Sequence, residues 1–363
     1  FDPQGGATPD PVSKTVTFAS TYGTLSTTSR TGCTFAGWWT GVGGTGSLVT
    51  ASTTVTTATN HTLYAKWTAN TYTVTYNGNV STGGSSANSS HTYDVEKALT
   101  TNGYNRTGYT FAGWATSTGG AVAYSNGQSV SNLANAQGAT VTLYAKWTAV
   151  AYTVTYNGNV STGGSTANSS HTYDVAKALT SNGFTREGYA FAGWATSAGG
   201  AVAYTDGQSV SNLANTQGAT VTLYAKWTPV TYSVTYDANG ATSGTAPASQ
   251  DKTHDVALTL ASNSGSLAKI GYFFAGWNTA ANGSGTNYAE GGSYAVDGTI
   301  VLYAKWTGTL SAVHRFWSDQ FGAHFYVMGD SERNRIAAKY PGIWRYETVA
   351  WYAYPTQVAG TQP

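Results

Sequence analysis

The tetrapeptide FAGW occurs four times, at residues 35–38, 111–114, 191–194 and 274–277, and each copy is followed about 30 residues later by LYAKW. The LYAKW segments end at Trp67, Trp147, Trp227 and Trp306. A fixed spacing near 80 residues is typical of a tandem array of like modules. The sequence therefore predicts four copies of one small domain. The function of the protein is then to be sought in what several linked copies of this domain provide.

Short alternating segments within one copy predict β-strands. Strands are expected at residues 72–76, 91–98, 109–115 and 141–147. In residues 141–147, alternation places Leu143 and Trp147 on the same face. Residues 129–137 are predicted to form a short helical turn with Leu133 facing inward. The predicted fold class is mainly β, with a small sheet of four or five strands in each module.

Composition excludes several classes of function. Only 9% of the 363 residues are charged, the net charge is +1, and no cluster of Lys and Arg is present, which argues against binding to nucleic acid or to an anionic membrane surface. No apolar run is long enough to predict a membrane span. The single cysteine, Cys33, rules out a disulfide framework or a thiolate zinc site within one chain. No metal or cofactor is predicted.

Module boundaries follow from the period. They are residues 1–69 (repeat 1), 70–149 (repeat 2), 150–229 (repeat 3), 230–308 (repeat 4) and 309–363 (the C-terminal module). Only two or three residues separate each LYAKW segment from the next predicted strand, and some of these are Pro or Val. Such short connections restrict the angles between neighbours. The sequence predicts a semi-rigid array.

Repeat 1 is predicted to have an incomplete first strand. Residues 1–5, FDPQG, match the strand end and turn at residues 236–240, YDANG, so the residues that would come before them in the strand are missing. We therefore expect the sequence to be a section of something longer. A missing strand leaves unpaired backbone groups that a strand from another chain can fill, which predicts self-association through repeat 1.

The aromatic residues of the two motifs are candidates for the module cores. In the alternative interpretation, the FAGW tryptophans stack on sugar rings, and tandem copies multiply weak binding. Each Trp buries about 150–250 Å² on folding, an area that a module of this size needs for its core, so we favour the core role. The core residues assigned in this way are Phe35, Trp38, Trp67, Phe111, Trp114, Trp147, Phe191, Trp194, Trp227, Phe274, Trp277 and Trp306.

The FAGW…LYAKW unit resembles the Listeria-Bacteroides repeat, also known from the B-repeats of internalin-type surface proteins, over residues 1–307. The resemblance implies compact β-grasp-like domains strung along extracellular bacterial proteins. It therefore implies a tandem array of small β-grasp-like modules in an exported or cell-surface protein. The family supplies no shared catalytic residues.

The character of the sequence changes after residue 307, where most of the potential site chemistry lies. Strands are predicted at residues 314–317, 324–327 and 348–352. A helix capped by Asp330 or Ser331 is predicted to run to about Lys339, and Pro341-Gly342 ends it. The sequence thus predicts a small α+β module.

This segment resembles short tandem modules found at the ends of secreted bacterial hydrolases and surface proteins. The resemblance rests on residues 315–317 (RFW), 322–326 (GAHFY), 332–333 (ER) and 344–347 (WRYE), although Thr348 stands where Gly is usual. The activity of these modules is unassigned, and attachment to the cell wall or to a glycan is the role commonly suggested for them. Residues 358–363 resemble the start of a further copy.

A lectin-like pocket is the functional hypothesis for the C-terminal module, because aromatic faces stack on sugars while Arg and Glu bind hydroxyls. Its predicted ligand-binding residues are Arg315, Trp317, His324, Tyr326, Trp344, Arg345 and Glu347. The expected ligand is a cell-wall glycan or a host-surface molecule. Structural packing of a small domain is the alternative. His314 and His324 are not accompanied by a third possible metal ligand at a clear spacing, so a hydrogen-bonded core role is expected for them. Glu332 and Glu347 each lie within two residues of an arginine, and we interpret them as ion-pair partners rather than as a hydrolytic pair.

Repetition favours a structural or binding role, because copying a unit adds length and valency but does not assemble one catalytic site. The sequence predicts a non-catalytic bacterial cell-surface or secreted segment, a stalk or adhesin that projects a terminal recognition module. A carbohydrate-binding protein and an extracellular filament subunit assembled by strand exchange are the alternatives.

Overall fold

The protein is described by a computed structural model that covers residues 1–308 and 311–353. Within these residues it consists mainly of β-strands in several small sheets, with one α-helix, Asp330–Lys339. The prediction of a mainly β fold is confirmed. Two compact units are present: the first comprises Phe1–Asn157, Thr166–Asn182 and Tyr204–Tyr224, and the second comprises the remaining described residues.

Repeat 2 shows the architecture of a complete module. Its four-stranded sheet has the order Ser89–Thr92, Thr71–Asn77, Thr140–Ala149 and Tyr109–Ala115. The first and last strands in sequence pair in parallel, with Thr73 opposite Thr140, and the outer pairs are antiparallel. Alternation along the first strand buries Tyr72 and Val74 completely, as the sequence pattern predicts. Two short antiparallel pairs complete the module: Gly83–Gly84 with Tyr104–Asn105, and Lys97–Ala98 with Ser129–Val130.

Repeat 3 has the same strands as repeat 2, whereas repeat 1 has a three-stranded sheet and repeat 4 a five-stranded one. The strands of repeat 1 are Cys33–Gly41, Thr45–Val49 and Tyr64–Ala69, with a 3-10 turn at Val42–Gly44. Those of repeat 3 are Ala151–Asn157, Gly163–Gly164, Ser169–Thr172, Lys177–Ala178, Phe184–Thr185, Tyr189–Ala195, Ser209–Val210 and Thr220–Pro229. Those of repeat 4 are Thr231–Asp237, Gln250–Thr253, Leu258–Thr259, Phe273–Asn278, Asn287–Tyr288, Ser293–Tyr294 and Ile300–Thr307.

The FAGW tryptophans lie at the centre of the repeats. Trp38, Trp114, Trp194 and Trp277 are each at most 1% exposed. In repeat 2, the Trp114 ring packs on Tyr76 and Phe111, with ring centroids 4.8 and 5.0 Å apart. At ~25 cal/mol per Å², burying 150–250 Å² contributes about 4–6 kcal/mol per tryptophan before the entropy cost. These four residues are therefore unavailable to a ligand in the folded state.

The remaining residues assigned to the cores are half-buried. They are Phe35, Trp67, Phe111, Trp147, Phe191, Trp227, Phe274 and Trp306. Phe111, for example, contacts both Trp114 and Trp147, with the second pair of rings 5.7 Å apart. The Trp147 indole nitrogen donates a hydrogen bond to the Gly78 carbonyl at 2.9 Å. These side chains flank the fully buried tryptophan and fix the turn that follows the first strand.

The predicted helical turn at residues 129–137 is wrong. Ser129–Val130 is a short strand, and Asn132 follows with a φ of 57°, which ends any right-handed helix. The Asn132 side chain accepts a hydrogen bond from the Asp94 amide and donates one to the Asp94 carboxylate, at 2.6 and 3.0 Å. Asp94 itself has a φ of 60° and interrupts the strand predicted at residues 91–98. Leu133 nevertheless packs against the core, as expected.

The C-terminal module contains one sheet and one helix. The strands lie in the order Ala323–Met328, Ser311–Ser318 and Arg345–Ala353, all antiparallel, and the helix is Asp330–Lys339. The helix packs on one sheet face through Phe316, Val327 and Ile336. The predicted cap by Asp330 or Ser331 is wrong, because Gly329 is the N-cap residue and no side chain caps the helix. The predicted start of a further copy at residues 358–363 lies outside the described residues.

Each joint between consecutive repeats is built on a glycine. Gly32, Gly108 and Gly188 have φ values of 69°, 75° and 72°, and a Cβ added to any of them would overlap a ring of the next repeat. The three rings are those of Tyr93, Tyr173 and His254. The glycine thus provides both the left-handed backbone and the space for the ring.

Backbone hydrogen bonds continue across each joint. At the joint between repeats 2 and 3, the Val150 amide donates to the Gly108 carbonyl at 2.9 Å, and the Tyr173 amide donates to the Val150 carbonyl at 3.0 Å. Equivalent pairs exist at the other two joints, through Asn70 and Val230. The connecting residues are therefore part of the hydrogen-bonded structure rather than free linkers.

Side chains add contacts that differ from joint to joint. The Tyr109 hydroxyl donates to the Asp174 carboxylate at 2.8 Å, and the Arg106 guanidinium lies 3.7 Å from the centre of the Tyr109 ring. Cys33 occupies the position of Tyr109 at the first joint. There, Asn70 instead joins the repeats, because its amide nitrogen donates to the Asn135 carbonyl at 2.8 Å and its oxygen accepts from the Thr34 hydroxyl.

Candidate functional site

The uncovered face of the C-terminal sheet carries most of the predicted ligand-binding residues. Because successive side chains of a strand point to opposite faces, Phe316 faces the helix while Arg315 and Trp317 lie on the other face. On the neighbouring strand, Val327 is buried under the helix while His324 and Tyr326 are exposed. The sheet therefore presents a polar and aromatic surface opposite its core.

Four rings form a continuous row on this surface. Centroid distances are 4.8 Å from Trp317 to His324, 6.3 Å from His324 to Tyr326, and 4.9 Å from Tyr326 to Trp351. Tyr326 is 41% exposed and Trp351 50% exposed, which is high for aromatic side chains that touch each other. We call Trp317, His324, Tyr326 and Trp351 the aromatic row.

Glu347 lies beside the aromatic row and is held by two partners. Its Oε2 atom is 2.8 Å from Arg315 Nε and 3.0 Å from His324 Nε2. A carboxylate fixed in this way can accept hydrogen bonds from hydroxyl groups. The surface thus combines exposed ring faces with oriented polar groups.

A cavity of about 470 Å³ opens at one end of the row. Trp317, Trp344, Arg345 and Asp319 line it, together with residues at the C-terminal end of the helix. The Trp344 ring is fixed by Phe325 and Phe321, with centroids 5.1 and 5.7 Å away. The cavity is within the size range of small-ligand sites, about 300–1,000 Å³.

The structure divides the predicted ligand-binding residues into two groups. Arg315, Trp317, His324, Tyr326 and Glu347 lie together on the open face, whereas Trp344 and Arg345 line the cavity, and Trp317 belongs to both. Sequence reasoning missed Trp351 and Asp319. Strict alternation from Glu347 would reach Trp351, but the strand register is irregular at residues 346–348 and again at 349–351, so the sequence alone could not place Trp351 on this face.

His314 takes part in the structure of the module rather than in this surface. It is 1% exposed, and its ring nitrogens lie 3.0 Å from the Asp330 carboxylate and 3.2 Å from the Tyr346 hydroxyl. It links the central strand to the start of the helix.

Among the described residues, His254, Asp255 and Asp297 form a group with metal-ligand chemistry that the sequence analysis did not find. The donor atoms are already engaged: His254 Nδ1 lies 2.9 Å from Asp297 Oδ2, and the buried Lys252 ammonium pairs with Asp297 Oδ1. His254 Nε2 lies against Gly188. A fixed ammonium beside the carboxylate opposes a second cation, so we interpret the group as an ion-pair network.

Repeat 1 contains a groove of about 540 Å³ between residues 13–16 and 57–63. In repeat 2 the corresponding position holds Thr71–Asn77, paired on both sides. Phe1 packs on Trp38 at 4.7 Å, as Tyr76 packs on Trp114, and Asp2 pairs in parallel with Tyr64. Residues 1–2 thus correspond to the end of the first strand of repeat 2.

Comparison with protein families identifies both parts of the chain. The Listeria-Bacteroides repeat domain matches residues 1–66, 72–146, 152–226 and 232–305. A domain of unknown function, DUF5648, matches residues 279–363 and so includes the C-terminal module. The resemblance inferred from FAGW and LYAKW is confirmed.

Two relatives come from the bacterium Evansella cellulosilytica. One, named "Putative membrane protein", is 28% identical over 255 residues, which are 68% of this chain and 34% of the relative. The other, named "Putative Gly-rich membrane protein", is 32% identical over 158 residues, which are 43% of this chain and 17% of the relative. The chain thus spans about a third or less of the length of these relatives.

No helix in residues 1–308 and 311–353 is long and apolar enough to cross a membrane. The four matched repeat segments together account for well over half of the 363 residues. On that basis the chain belongs to the Listeria-Bacteroides repeat family.

Proposed function

We propose that this chain is a non-catalytic segment of a bacterial surface or secreted protein, in which the repeats form a semi-rigid stalk that carries the C-terminal module as a recognition element. The observation that carries the proposal is the repeated joint, in which a positive-φ glycine packs on a ring of the next repeat. The names of the two relatives as membrane proteins support a surface location.

The joint explains why copying a repeat extends the stalk. A flexible linker would let neighbouring repeats explore many angles. At the joint between repeats 2 and 3, the linker residue Val150 is 2% exposed and bonded on both sides, to Gly108 and to Tyr173. Changing the angle between these repeats would break those bonds and expose the ring contact, so the lowest-energy arrangement is a single one.

Distance measurements by electron paramagnetic resonance test the stalk. Spin labels at Thr118→Cys in repeat 2 and Thr216→Cys in repeat 3, in a Cys33→Ser background, should give one narrow distance distribution. Gly108→Ala should broaden it, whereas Gly138→Ala should not, because a Cβ at Gly138 meets nothing within 4 Å. A broad distribution in the unmodified joint would refute semi-rigidity.

Recognition is assigned to the aromatic row and Glu347, with a carbohydrate or cell-wall glycan as ligand. Exposed, mutually fixed rings lose little conformational entropy when they stack on a ligand. Binding of the full chain to peptidoglycan and to a glycan array tests this. Trp351→Ala should abolish retention, and Phe18→Ala, which removes an exposed aromatic side chain in repeat 1, is the matched control. Equal retention of both variants would contradict the assignment.

A further inference from the structure

We propose that the cavity beside Trp344 binds a sugar unit that carries a carboxylate, with Arg345 as its anion-binding group. The proposal rests on the proposed function, because it assumes that the C-terminal module is the recognition element. It adds a ligand class and a second contact area to the open face of the sheet.

Arg345 differs from the other arginines of the module in its partners. Arg315 pairs with Glu347 at 2.8 Å and Arg333 with Asp330 at 3.2 Å, and Arg335 pairs with Glu332. Among the described residues, Arg345 has no acidic partner. Its guanidinium is therefore free to bind an anion from outside without first breaking an ion pair.

The position of Arg345 in the wall of the cavity suits it to bind a ligand. An unpaired arginine on a flat surface is ordinary, but Arg345 lies on the wall of a cavity of about 470 Å³ whose other walls include two tryptophans. Arg345 also stands opposite Trp317 in the strand register, so both side chains belong to the same rigid sheet. A planar guanidinium forms two parallel hydrogen bonds to a carboxylate, which fixes the orientation of the ligand.

Asp319 supplies the second half of the recognition. The Trp317 indole nitrogen donates to Asp319 Oδ1 at 2.7 Å, which holds this carboxylate at the cavity wall while Oδ2 remains able to accept a hydroxyl hydrogen bond. A simple anion would be repelled by Asp319 and would leave the tryptophan faces uncovered. A ligand with both hydroxyls and a carboxylate, such as a uronic acid, can pair with Arg345, donate a hydroxyl hydrogen bond to Asp319 and stack on the tryptophans at the same time.

Titration of the full chain tests the proposal with three probes: methyl β-D-glucuronide, methyl β-D-glucoside and acetate. The glucuronide should shift the indole signal of Trp317, assigned with Trp317→Phe, and should bind at least about tenfold more tightly than either other probe, a difference of about 1.4 kcal/mol. Arg345→Ala should remove this preference, and Arg345→Lys should keep part of it. Arg335→Ala, which disrupts an ion pair on the helix surface, should change nothing.

The outcomes separate this inference from the proposed function. Equal affinity for glucuronide and glucoside, with no effect of Arg345→Ala, would overturn the acidic-sugar site while leaving a recognition module. Acetate binding as tightly as glucuronide would show an anion site only and would also overturn it. If no probe binds but the full chain is retained on peptidoglycan through Trp351, the cavity proposal fails and the open-face proposal stands.

Discussion

Lys252 and Asp297 stand at positions that hold neutral residues in repeats 2 and 3. In repeat 2, His91 takes the position of Lys252, because both lie opposite the second residue of the first strand. Asn132 takes the position of Asp297, because each accepts a hydrogen bond from the amide of an equivalent aspartate. Lys252 is fully buried and its ammonium pairs with Asp297. The two substitutions therefore form a unit, and exchanging only one of them should be costly.

Asp297→Asn is expected to lower the local stability of repeat 4 by about 3 kcal/mol. Removing the partner of a buried charge costs about 3–5 kcal/mol. The lower end applies because the Thr253 carbonyl, 2.9 Å from Lys252 Nζ, still accepts a hydrogen bond. The double substitution Lys252→His with Asp297→Asn removes the buried charge together with its partner, giving the neutral residues of repeat 2, and should recover all but about 1 kcal/mol of this loss.

Native-state hydrogen exchange is the suitable assay, because a chain of several domains does not unfold in one two-state transition. The amides of Leu302 and Ala304, both fully buried, report on repeat 4, and those of Leu143 and Ala145 in repeat 2 are the internal control. If the double variant exchanges as fast as Asp297→Asn alone, the two residues are not coupled and the reasoning fails. Unchanged exchange in the single variant would show that Lys252 does not depend on its counter-charge.

Three further predictions concern the joints and the buried histidines. Gly108→Ala should destabilise its joint by about 2–4 kcal/mol, because the new side chain is strained by the left-handed backbone and also overlaps a ring. Gly138→Ala should cost only about 1–2 kcal/mol, because only the backbone strain applies. Denaturant-dependent hydrogen exchange measures both losses, and equal losses would contradict the role of Gly108 in the joint. Burial lowers the pKa of His91 and His171 below the ordinary value of 6.5. Repeats 2 and 3 should therefore be fully stable above about pH 6.5 and lose stability as pH falls through the folded pKa, and His91→Gln should remove this dependence from repeat 2. Cys33→Tyr should slow hydrogen exchange at the first joint, because the tyrosine hydroxyl can donate the hydrogen bond to an aspartate that is found at the other two joints. The expected gain in the stability of the joint is about 0.5–1.5 kcal/mol.

Strand positions were predictable wherever a two-residue period coincided with a buried face. Tyr72 and Val74 alternate with threonines, and the structure buries both. The helical turn at residues 129–137 was wrong because its pattern contains no sign that Asn132 bonds to Asp94, 38 residues earlier. Local propensity decides a segment only when no distant partner competes for its backbone.

The candidate site was predictable as a set of residues but not as a surface. The spacing of aromatic and charged residues in the C-terminal module singled out Arg315 and Glu347, yet only the register of the strands brings their side chains together. The joints were not predictable from one copy. From the sequence of one repeat, Gly108 looks like an ordinary turn glycine. It must be a glycine because the Tyr173 ring of the next repeat occupies the space that a side chain would need.

The joints also explain how the repeats can differ without altering the array. At each joint the glycine, its carbonyl bond and a planar ring are kept, while the ring changes from Tyr93 and Tyr173 to His254 and the polar contacts beside it change too. Because packing and backbone bonds are common to the three joints, we expect substitutions among the polar contacts to change the stability of a joint more than its angle. That is the property which the proposed stalk requires. In the proposed recognition role, the exposed rings of the C-terminal module are then the part in which ligand specificity can evolve.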